Sequence, residues 1–176
     1  MCIRDSFKRT KWAACFGGIS GNASDCLADK GFSHAVHELA EDVEVHVYNL
    51  HAEAGGDIED MQARQTGYEQ LIEAINAQPA DLPLIVGGDT NLHEDDEADE
   101  DLLNKLLAET DLQDACAFLQ CGEAHIDRFL FRSSAALSLV PTSWAVATEF
   151  VDDDGLDLSD HPAIRVTFEW HEKDLE

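Results

Sequence analysis

Two alternating segments, HAVHEL (34–39) and DVEVHVYNLH (42–51), flank a short polar break and predict a β-hairpin ending at His51. From Ile58 to Gln78 the positions Met61, Tyr68, Leu71, Ile72 and Ile75 recur at helical spacing, so a helix follows. LPLIV, bounded by Pro83 and the pair Gly87-Gly88, is a short β-branched run suited to burial on both faces, and it predicts a central parallel strand. A second helix carries Leu102, Leu103, Leu106 and Leu107. IDRFLF, SWAVATEF and PAIRVTFEW then read as three further strands. Strands and helices in this order predict an α/β layered domain built on a mixed sheet.

Polar residues gather where these strands end: Asn49 and His51, Asp89 and Asn91, Asp127, and Asp160 with His161. At the carboxyl end of a buried strand in an open α/β sheet, side chains meet the crevice where ligands bind. Each set has a plainer reading. Gly-Gly-Asp-Thr-Asn and Ser-Asp-His-Pro are good turn chemistry, a lone His51 or His161 suits a half-buried structural role, and Asp127 beside Arg128 suits a surface ion pair. Four sets in equivalent positions point instead to one converging site.

That set suits attack by water on a phosphodiester. His161 is the candidate general base, since imidazole titrates near neutral pH. Asp127 would fix its tautomer and stabilise the imidazolium. Asp160 would hold Mg²⁺, which takes oxygen ligands and bridges to phosphate oxygens, and neutral Asn91 would orient water or phosphate.

The chain of 176 residues fits one domain, and no apolar run approaches the roughly 20 residues of a membrane-spanning helix. Charge changes the picture more: 11 basic against 37 acidic residues give −26, a field that repels polyanions and disfavours long nucleic acid as a partner. Arg4, Lys8, Arg9 and Lys11 crowd into the opening residues, so 1–12 read as a leader foreign to a domain at 13–176, without the apolar core of a signal peptide. The acidic run 93–101 reads as a solvated loop entering a helix N-terminus, and it lacks the spacing of a calcium loop. Five cysteines offer no zinc spacing. Cys15 with Cys26 and Cys116 with Cys121 would close small loops as disulfides in an oxidising compartment, extracellular or periplasmic; five thiols in the cytoplasm are the alternative.

With these residues in place, the sequence resembles the endonuclease/exonuclease/phosphatase superfamily, the deoxyribonuclease-I-like proteins. The resemblance rests on NLHAEAG, GGDTN, IDRFLF and LSDHPAI, with DKGF before a strand, in family order over 29–170. It implies a two-sheet, four-layer α/β sandwich and a Mg²⁺-dependent phosphodiesterase. His161 would be the base, Asp127 its partner and Asp160 part of the metal site. His51 would stabilise the phosphate or assist the leaving group, Asp89 and Asn91 would face the scissile phosphate, and Asn49 would bind substrate.

One departure matters. The family opens with an Asn strand and a Gln-Glu strand whose glutamate is the principal metal ligand, and Glu38, Glu41 and Glu44 do not fit that motif. The match therefore implies a domain missing its first strands, with little activity expected of this chain alone. NLHAEAG followed by a helix with Arg64 and Gln65 is closest to bacterial sphingomyelinase-like members. The expected substrate is a phospholipid or small phosphodiester, handled by a monomer. A secreted nuclease, or a noncatalytic remnant used as a binding scaffold, are the alternatives.

Overall fold

A computed structural model describes residues 2–17, 25–122, 125–156 and 158–173. The elements run β1 (Cys2–Lys11), β2 (Gly31–Ala40), β3 (Val43–His51), α1 (Ile58–Asn76), β4 (Leu84–Asp89), α2 (Glu97–Thr110), β5 (Gln113–Asp114), α3 (Ala115–Leu119), β6 (Asp127–Arg132), β7 (Leu137–Val146) and β8 (Ile164–Glu172). Six strands form one sheet in the order β1-β2-β3-β4-β6-β5, and β7 pairs with β8 in a second. β3 and β4 are parallel, because α1 crosses between them; the other pairings are antiparallel.

Alternation along β3 and β6 divides the larger sheet between two cores. Tyr48, Leu50, Val86 and Leu130 face α1 and α2, meeting Tyr68, Leu71, Ile75 and Leu106. Val45 and Phe131 face the small sheet, meeting Leu137, Leu139 and the inward positions Val166, Phe168 and Trp170 of β8. Helices, six-stranded sheet and two-stranded sheet are thus stacked in that order, each fully buried aliphatic side chain contributing about 1.5–3 kcal/mol.

Three expectations change. Residues 2–11, read as a leader, form edge strand β1 against β2. The strand expected at SWAVATEF starts six residues earlier, at Leu137, and ends at Val146. Pro141 lies within it: a two-stranded sheet has only edge strands, and a register shift between Pro141 and Ser143 accommodates the missing N–H. Third, the acidic run is not all solvated. Asp96 caps α2 by accepting from the Ala98 and Asp99 N–H groups at 2.9 and 3.3 Å. Asp99 itself is only 3% exposed, its Oδ1 bound by Nε and Nη2 of Arg64 at 3.1 and 2.9 Å.

Cys15 is bonded to Cys26 and Cys116 to Cys121. Most of the loop closed by the first bridge, 18–24, lies outside the described residues.

Candidate active site

Register puts three polar residues in one row. His51 pairs with Asp89 across the parallel β3–β4 ladder, and Asp89 pairs with Asp127 across β4–β6. Cross-strand partners point to the same side of a sheet, here the side that carries the small sheet, so the three side chains emerge together beyond the end of the inter-sheet core.

The two glycines before Asp89 make this row possible. Gly88 has φ +134°, and a Cβ there would lie 2.0 Å from the Leu50 carbonyl oxygen. No other residue allows that approach of β4 to β3. A Cβ on Gly87 would meet the Phe129 ring at 2.9 Å.

Beyond the strand, Thr90 donates from N and Oγ1 to the Ile126 carbonyl at 2.9 and 2.5 Å, while Tyr68 Oη donates to the Thr90 carbonyl at 2.8 Å. Burial pushes the Tyr68 pKa up, so the hydroxyl stays a donor. Asn91 sits in the left-handed region at φ 47°, its N–H donating to Asp89 Oδ1 at 2.9 Å and its Nδ2 to the Ala52 carbonyl at 3.2 Å. Asn91 is buried and thereby fixes the Asp89 carboxylate and ties the β4 loop to the end of β3. Asn49, one row behind His51, is exposed and donates from Nδ2 to the Gly87 carbonyl at 3.3 Å.

His161 arrives from the β7–β8 connection, whose base is closed by Ala147 N–H to the Ala163 carbonyl at 2.8 Å. Its Nδ1 is hydrogen-bonded to Asp127 Oδ2. Its Nε2 lies 3.5 Å from Asp89 Oδ2, and His51 Nε2 lies 3.3 Å from the same oxygen. Two imidazoles therefore flank one carboxylate. Burial on its own would lower the His161 pKa, but the Asp127 hydrogen bond and the charges of Asp127, Asp89 and Asp160 outweigh it and raise the pKa above the usual 6.5.

Asp160 stands apart: its side chain is 94% exposed, with Oδ1 3.6 Å from His161 Nε2. Among the described residues no group of three or more His, Cys, Asp or Glu side chains is placed to hold a metal ion. Asp160 and Asp89 thus do not make a cation cage by themselves. Asp127 forms no pair with Arg128, whose buried guanidinium turns to the helix side and reaches Asp114 at 3.3 Å and Glu94 at 3.6 Å.

Two clefts adjoin the row. One of 540 Å³ opens at Asn49 and His51 and includes Arg9, Lys11 and Lys30. The other, of 390 Å³, opens at His161 and is lined by apolar groups including Val146, Phe150, Val151 and Leu158. Neither was foreseen. The signal for the second was present, since Phe150, Val151, Leu156 and Leu158 are large apolar residues in a loop otherwise acidic, and all four are exposed.

No protein-family model matches the chain. A sphingomyelinase of Mycobacterium tuberculosis is 26% identical over 178 residues, covering 92% of this chain. The chain spans about a third of that relative, 34% of its length. Among solved structures, humanized TDP2 of D. rerio superposes with a TM-score of 0.66 at 17% identity, covering 95% of this chain and 65% of that one. Sphingomyelinase C of Streptomyces griseocarneus superposes with a TM-score of 0.59 at 19% identity, covering 91% and 63%. The chain has the deoxyribonuclease-I-like fold.

Proposed function

We propose that the row His51, Asp89, Asp127 with His161 hydrolyses a phosphodiester, and that the substrate is a phospholipid or another small ester. The observation that carries this reading is the pairing of His161 Nδ1 with Asp127, which leaves Nε2 directed at the space shared with His51 around Asp89. When neutral, His161 takes a proton at Nε2 from the attacking water, and Asp127 stabilises the imidazolium that results. His51, half exposed on the other side of Asp89, serves the phosphate oxygens or the leaving oxygen. Asn91 and Gly88 position Asp89, and Asn49 lines the approach to substrate.

Mg²⁺ belongs to this reading as the ion that would neutralise phosphate oxygens, with Asp160 as its ligand. The described donors form no cage, so no step is assigned to it. Substrate class follows from two features. The −26 charge opposes long nucleic acid, and the apolar cleft beside His161 suits a hydrocarbon chain on the ester. Two disulfides support an extracellular or periplasmic setting.

The test compares sphingomyelin, a chromogenic phosphodiester and plasmid DNA, with and without Mg²⁺, at two salt concentrations. Turnover of the small esters that falls about 10²- to 10⁴-fold in His161→Ala supports the reading. Turnover indifferent to His161→Ala overturns it, and plasmid cut fastest at low salt replaces it with a nuclease. If no ester is cleaved while phosphate still shifts the histidine proton resonances, the crevice is a noncatalytic binding site.

A further inference from the structure

We infer that Trp12 is a positioning residue for His51, its indole N–H fixing the backbone end of β3 from which the imidazole projects beside Asp89. The inference rests on the phosphodiesterase reading for what His51 does there, and on the hydrogen-bond pattern for the rest.

Strand geometry creates the need for such a group. Ala52 N–H turns to the Asp89 carbonyl at 2.9 Å, on the β4 side. Alternation along a strand therefore turns the preceding carbonyl, that of His51, the other way, toward β2. At this end the β2–β3 ladder has already closed with Phe32 opposite Leu50. Trp12 Nε1 takes the place of a ladder donor and reaches the His51 carbonyl at 2.7 Å.

Three elements hold the indole for that contact. The Trp12 backbone N–H donates to the Lys30 carbonyl at 3.1 Å, at the entrance to β2. Gln70 of α1 brackets the residue, its Oε1 accepting from Ala13 N–H at 2.8 Å and its Nε2 donating to the Lys11 carbonyl at 3.1 Å. The ring is buried against Phe32, with centroids 5.3 Å apart, and lies over Gly67, where a Cβ would come within 3.3 Å of it. All of this is on the helix side of the large sheet, whereas the His51 imidazole emerges on the opposite side and is half exposed. Packing does little to hold a half-exposed ring, so its orientation depends on where the end of β3 is fixed. β4 fixes one edge of that end and Trp12 the other. The segment that charge set apart from the domain thus finishes in a residue that serves the site.

The test is a double-mutant cycle in the full chain. Trp12→Phe keeps an aromatic ring over Gly67 and removes the donor. With a chromogenic phosphodiester it is expected to lower kcat about 10- to 100-fold while KM stays within about twofold, the cost of misplacing a group by about 1 Å. In the His51→Ala background the same change is expected to alter kcat by less than about twofold, because the group it positions is gone. Equal losses in both backgrounds mean that the bond only supports the fold, and they overturn the inference. So does a kcat indifferent to Trp12→Phe.

A second readout needs no turnover: the imidazole proton resonances of His51 and His161, followed as inorganic phosphate is added. Trp12→Phe should displace the His51 resonance and weaken its response to phosphate, leaving those of His161 as they were. A chain that cleaves no ester but shows this selective change removes the phosphodiesterase reading and keeps Trp12 as a positioning residue. A His51 resonance that ignores the substitution overturns the inference. Should Trp12→Phe not fold, Gly67→Ala takes its place, since a methyl there presses on the indole while the higher helix propensity of alanine supports α1. Loss of kcat confined to chains that carry His51 supports the inference; a loss independent of His51, or none, overturns it.

Discussion

Asp89 and Asp127 stand directly opposite one another across the β4–β6 ladder, and both accept contact from the same imidazole, His161, through its two different nitrogens. Like charges placed so close repel, and the arrangement is stable because a ring that readily becomes cationic lies between them. The geometry makes Asp127 the partner that sets the tautomer. Asp127→Asn is expected to lower turnover by about 10²- to 10⁴-fold while leaving the thermal midpoint nearly unchanged. Steady-state kinetics beside a melting curve checks both halves.

Gly88 carries a second expectation. Its positive φ and the 2.0 Å approach to the Leu50 carbonyl leave no space for a methyl group. Gly88→Ala is expected to destabilise the fold by about 3 kcal/mol, read as a shift of the urea midpoint. Gly56 serves as the control, since a Cβ there meets nothing within 4 Å.

The Arg64–Asp99 pair makes a third. Both side chains are almost fully buried, and Arg64 Nη1 also donates to the Glu53 and Gly55 carbonyls at 3.1 and 3.0 Å. Asp99→Ala strands a buried guanidinium and should cost about 3–5 kcal/mol. Arg64→Met combined with Asp99→Ala should cost less than the sum of the single changes, which a double-mutant cycle in urea measures directly.

Acid should weaken the β2–β3 hairpin. His34 Nε2 and His46 Nδ1 are 2.9 Å apart, and the His34 ring stacks on Tyr48 with centroids 4.3 Å apart. Burial lowers both pKa values below 6.5; the neighbouring His46 and Lys8 add to this at His34, while at His46 Glu44 opposes it and Arg132 adds to it. The unfolded chain therefore takes up protons at a higher pH than the folded one. Stability is fully present above about pH 6.5 and is lost as the pH falls through the folded values. Urea midpoints at about pH 7.5 and about pH 5.5 should differ, and His34→Phe should narrow the difference.

Much of this was legible in the sequence because periodicity speaks loudest where one face of an element is buried. The β2–β3 hairpin, both helices and β4 lie within a few residues of their expected positions. Asn49, His51, Asp89 and Asp127 are legible by the same logic, as polar positions at or near the ends of apolar strands, while Asn91 and His161 lie in the loops beyond them. What escaped has a common cause. β1 reads as polar because it is an edge strand, β7 is broken by a proline that only an edge tolerates, and β5 and α3 are too short for a period to register. The burial of Asp99 was hidden within a run of exposed acids, its partner Arg64 lying 35 residues away on another helix.

The shared row of β3, β4 and β6 also acts as a form of proofreading. Side chains alternate between faces, so sliding β6 by one residue along β4 would turn Asp127 under the helices and drive Arg128 and Arg132 into the apolar space between the sheets. A mispaired chain would lose its chemistry and its core together. Recovery of the proposed hydrolysis after refolding would consequently count correctly paired molecules, with no silent population of folded but slipped ones to subtract.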